Sequence, residues 1–459
     1  MGDFYLSRTP SSGGNQRTFT VSTWCKLDFT NNEEHFFGAG TASSAGEISM
    51  CVDGGEKFMV MFNVGGTEYY FQSSQVLRDY SSWYHLVVAV DTTQASASDR
   101  MKMYVNGSEV TSFSTDNRSN LTQNTDFSVN STSAITYVGR RTSSTGNGYY
   151  KGYLTQTILI DGLALTPTSF ASTNANNIWV PNTSPSVTYG TNGFKLEYKG
   201  TGTSADASGF GADTSGNNNH LAVSGSLGTN PSTTDTPQNN FCTLNMVANS
   251  SMTTVTEGNL TATGNTNSNN GNTDGTIAPS GGKWYWEGKF VTAATANTNY
   301  PNMGVYPVNL SRQPKDGGSL AEAGYFSDGC SFMPSGSKFR NNSTSGYGSA
   351  WSTNDIIGVA LDMENYAVYF SINGTWQDSG DPTSGASKTG AAQAWTAAEG
   401  AYVPQVSSFN NSVMELNFGN PGYTIASSNA DANGEGSFEY APPSGYYALC
   451  TNNLALYGG

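Results

Sequence analysis

The sequence contains few charged residues, no run of basic residues and no long apolar segment. Charged residues fill 12% of the 459 positions, and the 35 acidic residues outnumber the 20 basic ones, so the net charge is −15. A surface of this sign repels a phosphate backbone, which makes nucleic acid and anionic membranes poor partners. No apolar stretch approaches the roughly 18 residues that a membrane-spanning helix needs, so we expect no membrane insertion.

Cysteine and histidine are also scarce. The five cysteines show no CxxC or zinc-like spacing, and their odd number leaves at least one unpaired, so we expect no disulfide framework. The three histidines, His35, His85 and His220, do not readily form a triad or a zinc cluster. The first residues lack a basic segment followed by an apolar one, so we expect no conventional signal peptide and assembly in the cytoplasm.

Small polar residues are abundant, and this favours strands and turns over helices. Glycine alone occupies 53 positions. Aromatic residues supply a further 12%, which argues for packed cores and against disorder. Because 459 residues exceed the size at which one core keeps growing, we expect two or more domains.

One strand pattern occurs twice, about 270 residues apart. An apolar strand that ends in Asp91 precedes a strand that ends in Asn106-Gly107, and the same order ends in Asp362 and Asn373-Gly374. Asn-Gly tolerates the positive φ angles of a type I′ turn, so each copy predicts an antiparallel hairpin with a buried face. Each Asp is expected to accept backbone N–H groups from the turn that follows it.

We therefore predict an all-β protein with two antiparallel β-sandwich (jelly-roll) domains joined by a short strand-containing bridge. The alternating segments and turn clusters support both sandwiches, and the proline-rich bridge contains a candidate strand at 194–198. The predicted ranges are 1–180 for the first sandwich, 181–245 for the bridge, 246–450 for the second sandwich and 451–459 for a C-terminal tail.

Both halves resemble known families. Segments of the first half follow the order and spacing of the concanavalin-like, laminin-G-like lectin sandwiches: Phe19–Trp24, Trp83–Val87 and Tyr104–Gly107. Segments of the second half resemble the SPRY domain: Gly282–Glu287, Ile357–Asp362, Phe370–Gly374 and Leu416–Gly419. These resemblances imply two sandwich domains of a kind that usually binds ligands without transforming them.

The combination resembles virion proteins of tailed phages, in which a lectin-like sandwich precedes a SPRY-like one. The segments that carry this resemblance are Tyr5–Pro10, Ser82–His85, Tyr137–Arg140, Asp235–Phe241 and Pro442–Cys450. It implies a structural protein of the virion, expected to be a tail fibre or adhesin that binds host surface polysaccharide. Other virion proteins are the implied partners, and a homo-oligomer is expected, for which a trimer would suit an appendage.

Three alternatives stay open. The protein could decorate or cement the capsid or tail with a packing role only, it could hydrolyse glycans, or it could be a free-standing bacterial lectin. Hydrolysis is disfavoured because the Glu-x-Asp-x-Glu strand of concanavalin-type glycosidases is missing, so we predict that the protein is not an enzyme. The isolated carboxylates Glu287, Asp362 and Glu415 are interpreted as structural, and His85 as a satisfied core or edge residue.

Sugar recognition requires exposed aromatic faces beside polar groups that bind hydroxyls. Aromatic residues in polar loops are therefore the predicted glycan-binding residues: Tyr149, Tyr150, Tyr347, Trp351, Trp376 and Trp395. Trp24 and Trp286 lie on alternating strands, so we expect them to be buried. Lectin sandwiches often hold calcium, and Asp213, Asn217 and Asn219 form a possible calcium turn that is also what an ordinary polar turn looks like.

Overall fold

The computed structural model describes residues 4–28, 32–142, 148–175, 177–227, 231–249, 252–266, 270–295, 300–308, 314–315, 319–320, 322–396 and 400–458. The chain divides into two compact units, Met1–Ser232 and Thr233–Gly459. Antiparallel strands dominate both units, which confirms the predicted all-β class with two sandwiches. None of the helices found in these ranges is long and apolar enough to cross a membrane.

The first unit is built from short strands and a few 3-10 turns. Its described strands are β1 (Phe4–Arg8), β2 (Thr18–Lys26), β3 (Glu34–Ala39), β4 (Ile48–Val52), β5 (Lys57–Val64), β6 (Thr67–Val76), β7 (Trp83–Asp91), β8 (Met101–Val105), β9 (Ser108–Glu109), β10 (Phe113–Asp116), β11 (Thr136–Val138), β12 (Tyr153–Asp161), β13 (Ala171–Thr173), β14 (Trp179–Pro181), β15 (Phe194–Leu196) and β16 (Ala222–Gly225). The 3-10 turns are Ala97–Asp99, Arg118–Asn120 and Pro167–Ser169.

These strands form an eight-stranded sheet, a six-stranded sheet and a hairpin. The eight-stranded order is β10-β6-β5-β4-β3-β11-β1-β16, the six-stranded order is β15-β12-β2-β7-β8-β9, and β13 pairs with β14. Both faces of β5 are buried, since Phe58, Val60 and Phe62 alternate with Met59 and Met61, which pack with Cys51 in a separate cluster. The outer face of the six-stranded sheet is also covered, because Val87 packs in one cluster with Phe170.

The second unit repeats this style of construction. Its described strands are β17 (Leu244–Asn249), β18 (Thr253–Thr256), β19 (Thr261–Gly264), β20 (Gly271–Gly275), β21 (Lys283–Thr292), β22 (Asn302–Pro307), β23 (Pro314–Lys315), β24 (Ser319–Leu320), β25 (Cys330–Phe332), β26 (Ser337–Arg340), β27 (Ser343–Gly346), β28 (Ile356–Asp362), β29 (Ala367–Ile372), β30 (Thr375–Trp376), β31 (Gln393–Ala394), β32 (Tyr402–Ser408), β33 (Val413–Asn417) and β34 (Tyr447–Ala448). Helical pieces are the 3-10 turns Ala323–Tyr325 and Gly385–Ser387 and the α-helix α1 (Thr451–Tyr457).

Two sheets again enclose the core. A seven-stranded sheet has the order β17-β20-β32-β22-β25-β26-β27, and a nine-stranded sheet contains β18-β19-β33-β21-β28-β29-β30 with β31 beside β29 and β34 beside β21. Trp284 and Trp286 of β21 share one buried cluster with Phe332 of β25, so both sheets contribute to it. A second cluster, with Tyr285, Tyr369 and further residues, buries the outer face of the nine-stranded sheet.

Both predicted Asn-Gly hairpins are confirmed. Asn106 and Asn373 each have a φ of 48°, and the glycines that follow have φ angles of 85° and 78°. Each Asn also extends the sheet with its side chain, since Oδ1 of Asn106 accepts the N–H of His85 at 2.8 Å and Oδ1 of Asn373 accepts that of Ile356 at 2.9 Å. The two turns therefore use the same side-chain hydrogen bond in both units.

The aspartates that end the preceding strands act as predicted. Oδ1 of Asp91 accepts the backbone N–H of Thr93 at 3.1 Å. Oδ1 of Asp362 accepts those of Glu364 and Asn365 at 3.0 and 2.9 Å. Both carboxylates are thus used to close turns.

The division between the units falls within the predicted bridge. β15 pairs with β12 and β16 pairs with β1, so the strands found before Ser232 extend the sheets of the first unit, whereas β17 belongs to the second. Residues that were predicted as a C-terminal tail form α1. Its Asn453 is buried and donates hydrogen bonds to Asp431 Oδ2 at 2.8 Å and to the Ala448 carbonyl at 2.9 Å.

Candidate functional site

Three aromatic residues that were predicted to expose stacking faces lie in the core of the second unit. Tyr347, Trp351 and Trp395 are 6%, 4% and 5% exposed. The Trp351 ring packs edge-on against Phe290 at a centroid distance of 5.2 Å, and Trp395 lies 4.8 Å from Tyr402. The predicted exposure is wrong for these three residues, because their loops fold into the core and burial of large rings stabilises the sandwich.

Trp376 has a different environment on β30. It is half-buried and contacts Tyr285 edge-on at a centroid distance of 6.4 Å. Part of the ring stays accessible, so its role in glycan binding stays a prediction. Trp24 and Trp286 are buried, as predicted from their alternating strands.

In the first unit, Tyr149 belongs to a group of aromatic rings around an arginine, which we call the tyrosine cluster (Tyr5, Tyr137, Tyr149 and Arg140). The guanidinium carbon of Arg140 lies 4.4 Å from the Tyr5 ring centroid, 5.1 Å from that of Tyr137 and 5.4 Å from that of Tyr149. The three tyrosines are half-buried, so part of each side chain is accessible. Cation–π contacts of this kind hold the ring faces around one charge and limit the freedom of the side chains.

Strand alternation positions the tyrosine cluster on the outer face of the eight-stranded sheet. Tyr5 precedes the buried Leu6 on β1, and Tyr137 precedes the buried Val138 on β11. Leu6 pairs with Val138 across the two strands, so the tyrosines share the opposite face. Tyr149 reaches the same place through an isolated bridge to Arg140.

Tyr150, the other predicted residue of this loop, has a partly structural role. It is half-buried, and its hydroxyl donates a hydrogen bond to the Lys26 carbonyl at 2.9 Å. Its backbone N–H donates to the Gly139 carbonyl at 3.0 Å. Tyr150 therefore fixes the position of Tyr149, and its own part in binding stays a prediction.

The chain next to the tyrosine cluster crosses the outer face of the sheet. A side chain on Gly38 would come within 3.0 Å of the Arg140 carbonyl oxygen, so glycine is what allows this close crossing. The Arg141 guanidinium donates to Glu68, and its Nε lies 3.6 Å from an oxygen of Glu47. These carboxylates neutralise Arg141 and hold the crossing segment in place.

Beneath this segment, His35 joins Ser49 and Glu33. Its Nδ1 lies 2.6 Å from Ser49 Oγ and its Nε2 lies 3.2 Å from Glu33 Oε2. These are the residue types of a hydrolytic triad, but Ser49 is fully buried and its hydroxyl donates to the Phe37 carbonyl at 3.1 Å. Burial lowers the pKa of His35. An inaccessible serine that is already bonded does not act as a nucleophile, so this group is structural.

The predicted core role of His85 is confirmed. Its ring is stacked on Trp24 at a centroid distance of 4.8 Å, and its Nε2 lies 2.8 Å from Ser22 Oγ. Nδ1 accepts a hydrogen bond from Trp179 Nε1 at 3.1 Å. Burial lowers the pKa of His85 to about 3, so the ring is neutral near pH 7 and can accept this bond.

The side chains of the possible calcium turn have hydrogen-bond partners within the protein. Asp213 accepts the backbone N–H groups of Ser215 and Asn219 at 2.8 Å each. Asn219 Oδ1 accepts the Arg8 guanidinium at 2.7 Å, and Asn217 donates its amide to two backbone carbonyls at 2.7 and 2.9 Å. Calcium binds through several oxygens, and of these the Asp213 oxygens already accept N–H groups and Asn219 Oδ1 faces a cation. The polar turn is therefore the better interpretation.

Metal clusters of other composition are also missing from the described ranges, where no group of three or more His, Cys, Asp and Glu side chains is suited to a metal ion. A small open cleft is lined by four carboxylates together with Tyr80: Asp28, Glu34, Asp53 and Glu56. Two of these carboxylates already accept side-chain hydrogen bonds, since Gln72 donates to Asp53 and Tyr80 donates to Glu56. The cleft therefore has polar walls that are partly occupied by the protein's own donors.

Glu287 is a buried carboxylate whose two oxygens accept hydrogen bonds from other residues of the second unit. Five groups donate to its two oxygens: the hydroxyls of Tyr285 (3.0 Å) and Tyr423 (3.1 Å), the amide of Asn417 (3.2 Å) and the backbone N–H groups of Glu439 (3.0 Å) and Tyr440 (2.8 Å). Burial raises the pKa of Glu287, against the opposing effect of these hydrogen bonds. The carboxylate ties β21 to β33 and to the chain after it, which agrees with the predicted structural role.

Comparison with known families agrees with the two-sandwich fold. Residues 3–171 match the family model described as the Concanavalin A-like lectin/glucanases superfamily, and residues 283–421 match the SPRY domain. The chain thus contains a lectin-like domain followed by a SPRY domain, both of kinds that typically bind without catalysis. No curated protein gives a significant match.

Several solved structures are similar in part. The SPRY domain of human HERC1 shares 15% identity over 38% of this chain and 96% of its own, with a TM-score of 0.30. Stonustoxin shares 18% identity over 38% of this chain and 27% of its own, with a TM-score of 0.28. A heptameric SAP-like pentraxin from Limulus polyphemus shares 18% identity over 40% of this chain and 87% of its own, with a TM-score of 0.29. With identities and TM-scores this low, the similarities do not indicate a function.

Sequence reasoning identified Tyr149 but missed Tyr5, Tyr137 and Arg140. The signal that could have found Tyr5 and Tyr137 is the alternation of buried and exposed positions along a strand, because each of them directly precedes a core residue of its strand. What alternation does not give is strand order, and only the pairing of β1 with β11 brings Tyr5 beside Tyr137.

Proposed function

We propose that the protein is a non-enzymatic binding protein that engages a surface glycan through the tyrosine cluster. The observation that carries this proposal is the set of three half-buried, partly accessible tyrosine rings around Arg140 on the outer face of a lectin-like sheet. Pyranose rings present apolar C–H faces that pack on aromatic rings, and their hydroxyls need nearby donors and acceptors. Tyrosine supplies both an aromatic face and a hydroxyl.

An exposed cation beside the rings adds hydrogen-bond donors. Lys151 is exposed, with its ammonium 5.8 Å from the Tyr149 ring centroid, so a sugar stacked on Tyr149 would be within its reach. Arg140 is only 9% exposed and serves to order the rings. We expect weak binding by a single copy.

The non-enzymatic part of the proposal is supported by how the candidate catalytic groups are used. Ser49 is buried beside His35, and the carboxylates of Glu287 and Asp362 are bonded to the fold. The sequence also lacks the paired-carboxylate strand that glycoside hydrolysis on this scaffold requires.

We further propose that the protein is a tail fibre or adhesin of a phage virion, assembled with other virion proteins in the host cytoplasm. The support is the sequence resemblance and the order of a lectin-like domain before a SPRY domain. An appendage that is repeated around a particle, as a trimer or another homo-oligomer, turns weak single sites into firm attachment through effective concentration. A decoration protein with a packing role only is the alternative.

The test combines polysaccharide binding with adsorption competition. Purified protein is titrated with host surface polysaccharide, and Tyr149→Ala is compared with Tyr149→Phe. Loss of one stacking ring should weaken binding about two- to thirteenfold, since such aromatic contacts contribute about 0.5–1.5 kcal/mol. Tyr149→Phe keeps the ring and should stay within about twofold of the wild type.

Saturating wild-type protein should also reduce phage adsorption, and Tyr149→Ala should reduce it less. Undiminished adsorption, together with equal polysaccharide binding by both variants, would count against the adhesin. Imaging of the particle would then distinguish a protruding position from a symmetric one on the shell, and the latter supports decoration.

A further inference from the structure

A second surface with a defined chemistry lies at an edge of the seven-stranded sheet, in the hairpin of β26 and β27. β27 ends the strand order, so within the described ranges it has a neighbouring strand on one side only. All four of its residues, 343–346, are exposed. It contains no proline, charge or bulge, which are the usual devices that protect an edge from pairing with another chain.

The geometry of the hairpin leaves backbone groups pointing away from the sheet. Asn341 and Asn342 form the two-residue turn, with φ angles of 45° and 56°, and Arg340 pairs with Ser343 beside it. In such a hairpin the pair that flanks the turn is hydrogen-bonded, and the bonding alternates along the strands. The N–H and C=O groups of Thr344 and Gly346 therefore face the open edge.

The hairpin is held in place by contacts at its turn. The backbone N–H of Asn341 donates to the Phe326 carbonyl at 3.2 Å, and that of Asn342 donates to the Gly324 carbonyl at 3.0 Å. On β26, Phe339 is buried and anchors the strand. A strand fixed in this way loses little conformational freedom when another strand pairs with it.

The hairpin carries two cations although the protein as a whole is acidic. Lys338 and Arg340 flank the buried Phe339 and so share the opposite face, which is also the face of Phe332, and they pair there with Ser345 and Ser343. The Lys338 ammonium lies 5.4 Å from the Tyr347 ring centroid, whereas Arg340 is exposed. No acidic residue occurs between Asp328 and Asp355. Two hydroxyls thus lie on the edge strand, and two cations lie one strand further in.

We propose that the hairpin edge binds an extended acidic segment of another protein by strand addition. The exposed backbone groups of β27 pair with a peptide backbone, which a polysaccharide does not have. The exposed Arg340 side chain reaches across Ser343 toward a carboxylate on the same face of the added strand, and Lys338 adds positive charge on that face. This interaction is separate from the tyrosine cluster and does not depend on glycan binding.

The test uses the full-length protein and labelled nine-residue peptides in fluorescence anisotropy. A peptide of alternating Thr and Glu is compared with its Thr/Lys counterpart and with a Thr/Glu peptide that is N-methylated on one edge. The Thr/Glu peptide should bind, and the other two should bind at least about tenfold more weakly, because one lacks charge complementarity and the other lacks backbone donors.

Protein variants separate the contribution of charge from that of the backbone hydrogen bonds. Arg340→Glu should weaken peptide binding about fivefold or more, and Lys199→Glu, which makes the same change in net charge at an exposed lysine of the first unit, should have no effect. Thr344→Pro removes an outward N–H without removing a bond to β26 and should also weaken binding. Circular dichroism confirms that each variant is folded.

Three results would overturn the proposal. The first is equal binding of the N-methylated peptide, which would mean that any polyanion suffices. The second is binding that Arg340→Glu leaves unchanged. The third is a wild-type protein that self-associates through this edge and that the Thr/Glu peptide does not dissociate, which would make the occupant a second copy of the chain.

Discussion

The outer face of the eight-stranded sheet in the first unit and that of the nine-stranded sheet in the second both carry tyrosines, but the environments of these residues differ. Tyr285 and Tyr369 are buried in a cluster with Phe438 and Tyr446, which come from the chain after β33. Tyr5 and Tyr137 stay half-buried and partly accessible around Arg140. The difference teaches that strand alternation assigns a side chain to a face, whereas a segment distant in sequence decides whether that face is available to a ligand.

The largest expected effect compares a buried aromatic residue with one of the tyrosine cluster. Trp351→Ala removes a ring from the core of the second unit and should lower the free energy of unfolding by about 3–5 kcal/mol. Tyr137→Ala should cost under about 1.5 kcal/mol and should weaken polysaccharide binding instead. Calorimetry and polysaccharide titration of both variants measure the contrast. A loss of binding in folded Trp351→Ala equal to that in Tyr137→Ala would contradict it.

A somewhat smaller loss in the free energy of unfolding is expected when the buried carboxylate of Glu287 is removed. Glu287→Ala leaves five donors without their acceptor, and we expect a loss of about 3 kcal/mol in the free energy of unfolding of the second unit. Glu364→Ala is the matched control, because the Glu364 side chain is 60% exposed. Urea unfolding measures both, and equal midpoints for the two variants would show that Glu287 does not hold the covering segment.

The two units should also respond differently to pH. A hydrogen bond from His35 lowers the pKa of Glu33, and one from Arg118 lowers the pKa of Asp116, whereas burial raises the pKa of Glu287 in the second unit. A lowered carboxyl pKa gives stability that is present above about pH 4 and is lost as the pH falls through the folded value. A raised pKa gives stability that is present below about pH 4.3 and is lost as the pH rises through the folded value.

We therefore expect the second unit to gain stability between pH 7 and pH 4 and the first unit to lose stability below pH 4. Calorimetry of the full chain measures both transitions, and the one that shifts in Trp351→Ala belongs to the second unit. Asp116→Asn should reduce the loss of stability below pH 4 in the transition of the first unit. Parallel pH dependence of the two transitions would refute the expectation.

The smallest effect distinguishes the two Asn-Gly turns. Asn106 and Asn373 have the same φ and the same hydrogen bond to a strand N–H, but Asn373 also donates its amide to Asp355 at 2.7 Å. Asn373→Ala should therefore cost about 2–3 kcal/mol and Asn106→Ala about 1–2 kcal/mol, from backbone strain and lost hydrogen bonds. Denaturant unfolding measures the difference. Equal losses in the two variants would show that the bond to Asp355 contributes nothing.

Much of the fold could be predicted because its signals are local. Asn106-Gly107 and Asn373-Gly374 specify their turns through backbone conformation alone, and Trp286 faces the core beside Trp284, as period-two alternation predicts. Trp24 is buried because the β13–β14 hairpin covers its face of the sheet. The candidate site could be predicted only in part. Tyr149 and Trp351 both lie in polar loops, yet one is half-buried and the other is core, because the neighbouring polar residues do not report whether a loop folds inward.

The sequence by itself determined the β class, the duplicated hairpins, the acidic charge and the absence of a paired-carboxylate strand, since these depend on residues that are neighbours in the chain. Tertiary structure alone decided that Tyr5, Tyr137 and Tyr149 surround Arg140 and that Lys338 and Arg340 lie one strand in from an open sheet edge. The physical reason is that strand order and the course of covering segments depend on contacts between residues far apart in sequence, and single-sequence periodicity does not encode these contacts.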